Sequence, residues 1–257
     1  MLLLSYPKSG RTWLRFMIDD YLCRVRGLDT GNVFEVESRP DYPVQWTHLT
    51  AAMIMKLPYH SMGCFDRRPL EGTTCILMVR NFYATLASAY HQATQRIGVF
   101  TGSPSAFIRN PRYGVIKLVT FYNLWMEIAG LFRRQDVISY DQMLADPAPA
   151  LRRVLAMLGE EADDSLLETV AREASLESMK RLSVMPAYAG TVLAPRDPEN
   201  PDSFKIRRGG SSDVGALFSE EDLIYIERVI RDLLLLRNAD WLEQCVRRPS
   251  SCVRVVQ

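Results

Sequence analysis

No stretch of this chain approaches the roughly 20 consecutive apolar residues that a membrane-spanning helix requires, and its amino end lacks the basic flank and long apolar core of a secretory signal. The expectation is a cytoplasmic protein with no membrane partner. Five cysteines stand at 23, 64, 75, 245 and 252, with no CxxC pair and no zinc-like spacing to histidine. Reduced thiols are the simplest state, and no metal site is expected. Charge of one sign is missing too. Lys and Arg number 31 against 30 Asp and Glu, and a net charge of +1 offers no broad basic face for nucleic acid. Internal repeats and domain linkers are absent, so the 257 residues, 47% of them hydrophobic, are expected to form one domain over 1–257.

What the chain does contain is concentrated in its first seventeen residues, MLLLSYPKSGRTWLRFM. Residues 1–4 read as a buried strand, Pro7 and Gly10 mark a tight loop, and Thr12 opens a segment with Trp13, Phe16, Met17 and Tyr21 at helical spacing. Such a loop aims the unpaired amides of a helix N-terminus at an anion. Lys8 adds a cation, Ser9 and Thr12 add hydroxyls, and Gly10 lets the backbone approach closely. The expected occupant is a phosphate or sulfate ester. A Walker A loop is excluded, because GxxxxGK[ST] places its lysine after the second glycine, whereas Lys8 precedes Gly10.

Further along, 73–79 (TTCILMV) is the clearest buried strand, with 136–140 (DVISY) and a short piece of 43–50 (PVQWTHLT) as two more. Helices are expected over 51–57, 83–95 and 112–132, from a start at Asp146 and Pro147 to Gly159, from Asp163 or Asp164 to about 175, and from Ser219 to about 236. The stretch 98–111 reads as loop, and the proline-rich 186–203 as a mobile lid. Alternating strands and helices predict an α/β fold, a P-loop-like parallel sheet flanked by helices.

In an open parallel sheet the ligand lies beyond the carboxyl ends of the strands. Those ends carry residues 6–10, then Arg80 and Asn81, then Tyr140 and Asp141. The run PKSGRTW resembles the phosphosulfate loop, PKSGTTW, of sulfotransferases that use 3′-phosphoadenosine 5′-phosphosulfate (PAPS). RNFYATLAS, with Arg80 and Ser88, resembles that family's 3′-phosphate motif, and FKIRRGGSSDVGALF resembles its RKGxxGDWKxxF segment through Arg207, Arg208, Gly209, Asp213 and Phe218. Ser212, Val214 and Gly215 depart from the latter pattern. Tyr140 in VISYDQM and Leu176 in SLESMK fall where the family's adenine contacts lie, with Leu176 replacing a phenylalanine, and Trp13 matches the aromatic that stacks on the base. His48 in WTHLT resembles the general base of KTHLP, with Trp46 in place of the lysine.

The resemblance implies a cytosolic-type sulfotransferase of bacterial specialised metabolism. It would move a sulfuryl group from PAPS, leaving PAP, to a hydroxyl or less readily an amine of a small molecule. His48 and Lys8 would be the catalytic groups. Lys8, Ser9, Gly10, Arg11, Thr12, Trp13, Arg80, Ser88, Tyr140, Leu176, Arg207, Arg208 and Gly209 would hold the nucleotide, with no metal. Arg11, standing where threonine is usual, either adds a cation or faces solvent. Tyr42, Trp46 and Phe100 are candidates for an aromatic acceptor pocket. The alternatives are a small-molecule kinase of P-loop ancestry and a nucleotide-binding protein without turnover.

Overall fold

Leu3, Leu4, Ile76 and Leu77 have no solvent exposure. Their alternation carries them to two opposite faces of a sheet that is covered on both sides, as apolar strands without polar breaks require. Residues 1–28, 31–200, 203–206, 214–235 and 240–250 are described by the structure, a computed structural model. Among them lie four parallel strands, β1 Leu2–Ser5, β2 Gln45–Thr47, β3 Thr74–Val79 and β4 Arg134–Ser139, in the order β2-β1-β3-β4. Register pairs Leu3 with Trp46, Leu4 with Leu77 and Val79 with Ser139.

Eleven helices connect and cover the strands among the described residues. They are α1 Arg11–Val25, α2 Phe82–His91, α3 Pro104–Arg109, α4 Val115–Ala129, α5 Tyr140–Ala145, α6 Ala148–Leu158, α7 Asp164–Glu173, α8 Leu176–Ser183, α9 Val214–Leu217, α10 Glu220–Leu233 and α11 Asp240–Val246. Leu3, Ile76, Met78 and Ile138 pack under α1, α6, α7 and α8 through Leu14, Leu151, Leu167 and Met179. Leu4, Cys75, Leu77 and Val79 pack on the other face under α2, α3, α4 and α10. Each fully buried leucine or isoleucine contributes about 1.5–3 kcal/mol, which fixes the sheet between its two helical layers. No described helix is long and apolar enough to cross a membrane.

Several boundaries follow local chemistry that the sequence carries. Gly159 ends α6 at φ 82, Asp163 caps α7, and Ser219 with Asp222 forms a capping box on α10. Others depart from expectation. The loop expected over 98–111 contains α3, started by the Ser103 hydroxyl and by Pro104 at its first position. The helix expected over 51–57 is two 3-10 turns, Leu49–Ala51 and Met53–Met55, broken at Ala52 and stopped by Lys56 at φ 51. The strand expected over 136–140 is β4 and ends at Ser139, whose hydroxyl caps α5, so Tyr140 opens a helix instead of closing a strand.

Candidate active site

The chain leaves β1 at Ser5 and enters α1 at Arg11 through a turn with two left-handed residues, Lys8 at φ 75 and Gly10 at φ 95. Glycine adopts that conformation without cost, whereas a lysine held there stores on the order of 1–3 kcal/mol and needs its surroundings to hold it. Arg80 does so at one end, donating from Nη1 to the Lys8 carbonyl at 3.0 Å. Gln92 does so at the other, accepting from Lys8 Nζ at 3.3 Å. The Gly10 carbonyl accepts from the Trp13 and Leu14 amides, and Ser9 N–H donates to Tyr6. The amides of Gly10, Arg11 and Thr12 have no backbone acceptor among the described residues. Ser9 Oγ is buried beside the Tyr122 hydroxyl, and neither oxygen makes a hydrogen bond of ordinary geometry.

The three strand ends meet here. The Arg80 guanidinium lies 4.3 Å over the Tyr140 ring, and the Asn81 amide donates to Asp141 at 3.2 Å. Tyr140 in turn lies against Gly10, where an added Cβ would stand 2.3 Å from the ring. Gly10→Ala therefore meets both a left-handed φ and the ring. It is expected to cost on the order of 1–3 kcal/mol in strain alone, read by urea denaturation, and to displace Tyr140 from Arg80. Trp13 approaches Tyr140 edge-on at 5.9 Å and donates to the Ala174 carbonyl at 2.7 Å, which sets the start of α8 and Leu176 beside α1. Ser88 is half-buried in α2, and Asn81 caps that helix. Arg207, Arg208 and Gly209 lie outside the described residues.

His48 follows β2, with Nδ1 2.7 Å from the Ser5 carbonyl. A carbonyl only accepts, so Nδ1 carries the proton and Nε2 keeps its lone pair. The next residue, Leu49, is left-handed at φ 47, with its amide donating to Thr47 Oγ1 at 2.8 Å. Burial holds the His48 pKa well below 6.5, and the charges of Arg11, Lys205 and Lys8 push it the same way against the Ser5 hydrogen bond. Arg11 is itself drawn down to about 10 by burial and Arg15, opposed by Glu37. Lys205 is drawn down to about 7 by burial, Arg96 and Arg11. Burial, with neighbouring cations adding to it, disfavours both charges, a state that a bound anion relieves. Lys205 stands within FKIRRGG but has no motif partner of its own, and only its place in the fold marks it.

A histidine with a depressed folded pKa binds fewer protons folded than unfolded, so its contribution to stability is present above about pH 6.5 and lost as the pH falls below it. In the ligand-free protein, the His48 imidazole is expected to stay neutral through pH 6.5 in an NMR titration. Arg11→Ala should raise its midpoint.

The three aromatic candidates do not converge. Trp46 Nε1 donates to Tyr42 OH at 3.1 Å, and Tyr42 OH donates to the buried Asp19 at 2.5 Å, on the α1 face of the sheet. Phe100 packs on the opposite face, 5.2 Å from Phe107 and 5.9 Å from Tyr113. Leu49, Leu57 and Tyr59, on the segment after His48, line that same face.

No family model matches the chain. The fold is that of the sulfotransferases. Mouse sulfotransferase SULT7A1 complexed with PAP superposes with a TM-score of 0.61 at 20% identity, covering 94% of this chain and 86% of that one. Retinol dehydratase in complex with androsterone and inactive cofactor PAP gives 0.60 at 16%, covering 92% and 82%. By sequence the chain is similar to sulfotransferase 1C2 of Homo sapiens, 19% identical over 205 residues, and to that of Oryctolagus cuniculus, 20% identical over 204. Each match takes in 70% of this chain and 65% of the relative's length.

Proposed function

We propose that the chain is a PAPS-dependent sulfotransferase acting on a hydroxyl, or less readily an amine, of a small molecule. The observation that carries this is the pairing, at neighbouring strand ends, of a lysine-bearing anion loop with a neutral histidine whose Nε2 is an acceptor. The residues fit the nucleotide: a buried serine oxygen without a hydrogen bond of ordinary geometry, three amides at a helix start and the buried cations Arg11 and Lys205 are all relieved by anionic groups. When bound, PAPS supplies a sulfuryl group activated by its phosphate leaving group.

In this reading Lys8 neutralises charge on the bridging and leaving oxygens, in the manner of phosphoryl transfer through a loose transition state. The amides of residues 10–12 and the Thr12 hydroxyl cradle the 5′ end. Arg80 and Ser88 take the 3′-phosphate, with Arg207, Arg208 and Gly209 joining them on the strength of the motif. Trp13, Tyr140 and Leu176 flank the base. His48 Nε2 takes the acceptor's proton. Burial, with Arg11 and Lys205 adding to it, keeps the imidazole neutral, so that Nε2 can accept that proton.

Retinol dehydratase has been solved with retinol as well as with androsterone. Two apolar alcohols on that fold, together with the partly buried Leu49, Leu57, Tyr59 and Phe100 on the sheet face that follows His48, support an apolar acceptor here. The segment 186–203, tied to Arg96 at Val192, Ala194 and Ser203, would act as a lid by releasing those contacts to admit the acceptor, and the reaction would run in the cytoplasm. Incubation with PAPS and a panel of phenols, alcohols and amines tests the assignment. Sulfated product supports it. Nucleotide binding without product identifies a binding protein, and dependence on ATP with magnesium identifies a kinase.

A further inference from the structure

The α2 helix does not end at His91 but widens into a π-turn, Gln92–Arg96, closed by the Ile97 amide donating to the Gln92 carbonyl at 3.0 Å. Isolated π-turns are strained and recur at functional sites, where the surroundings hold them open. This one is held at both ends. Its first residue, Gln92, accepts from Lys8 Nζ at 3.3 Å. Its last, Arg96, donates from Nη2 to the carbonyls of Val192 and Ala194 at 3.0 and 2.8 Å, and from Nη1 to that of Ser203 at 3.0 Å. Three neutral carbonyls satisfy the guanidinium without neutralising it. The proline-rich strap and the lysine of the anion loop are thereby tied to a single turn of helix.

We propose that Gln92 is a positioning residue for Lys8 and that Arg96, by anchoring the π-turn to the strap, sets where Gln92 presents its amide. The inference rests on the sulfotransferase reading. A neutral amide suits the task because it orients the ammonium while leaving its charge for the incoming anion. A carboxylate at the same place would compete with that anion. Lys8 is then fixed twice from the β3–α2 unit, at its carbonyl by Arg80 and at its ammonium by Gln92, so the cation need not be oriented after the nucleotide arrives.

The test separates orientation from charge. Gln92→Leu is expected to lower kcat about 10-fold while leaving the KM for PAPS within about threefold. Gln92→Glu is expected to raise that KM about 10-fold through competition for Lys8. Arg96→Ala, or Arg96→Lys should the first fail to fold, should lower kcat in the same way. Combined with Gln92→Leu it should cost little more than either alone, because both changes act on one contact. A Gln92→Leu enzyme within twofold of the parent kcat, or strictly additive losses in the double variant, overturns the inference. Failure of the unaltered protein to bind PAP is a different result, and overturns the functional reading itself.

Discussion

Replacing Lys8 with alanine is expected to lower kcat for sulfuryl transfer by about 10²–10³-fold, the usual cost of removing one preorganised group aimed at developing charge. Binding of PAP should weaken less, by about 10-fold, since one charge-assisted hydrogen bond is lost while the helix amides and Arg80 remain. The split follows from the geometry. Lys8 sits on a left-handed backbone that Arg80 anchors, so its side chain is presented by the turn, and removing it leaves the turn in place. Steady-state kinetics together with calorimetry with PAP read the two quantities separately. A variant that binds PAP normally and turns over normally would show that Lys8 takes part neither in holding the nucleotide nor in transfer.

His48→Ala is the second large effect, a loss of about 10²–10⁴-fold in kcat/KM with alcohol acceptors. PAP affinity should stay nearly unchanged, because the proposed role gives the imidazole to the acceptor and its Nδ1 is taken by the Ser5 carbonyl. The chemistry adds a finer expectation. A strongly acidic phenol is already ionised at neutral pH and needs no base, so the variant should lose much less activity with such a phenol than with an alcohol. An equal loss across both acceptors would assign His48 to the shape of the site and not to proton transfer.

The parts of this molecule that depend on neighbours in sequence were legible from it. The first strand, the anion turn and α1 lie within one short stretch, and each depends on local pattern, as do the glycine stop at Gly159 and the serine cap at Ser219. The α3 helix is announced by Ser103 and Pro104, yet the glycine and proline content of 98–111 outweighs that cap in a local reading. The 3-10 turns after His48 carry a helical residue pattern, yet the left-handed Leu49 opens the first, the left-handed Lys56 stops the second and α4 packs against the first, a tertiary constraint that propensity does not register.

Side-chain networks were the least legible. Asp19, Tyr42 and Trp46 join residues from α1, a turn and β2, so two residues with the appearance of a pocket prove to be bonded to each other. The charge of Lys205 bears on His48 only because the fold brings together residues far apart in sequence. The contact between Gln92 and Lys8 spans 84 positions. Chemistry-bearing residues could be named from motifs, but which of them touch was decided by the fold.

The central claim is that one site grips a nucleotide with two separated anionic ends. A calorimetric titration of the protein with PAP, alongside adenosine 5′-phosphate, tests it most directly. PAP should bind at least about 10-fold more tightly, the worth of the charge-assisted hydrogen bonds offered to its 3′-phosphate by Arg80 and its neighbours. Equal affinity for the two nucleotides, or no binding of PAP at all, would contradict the account.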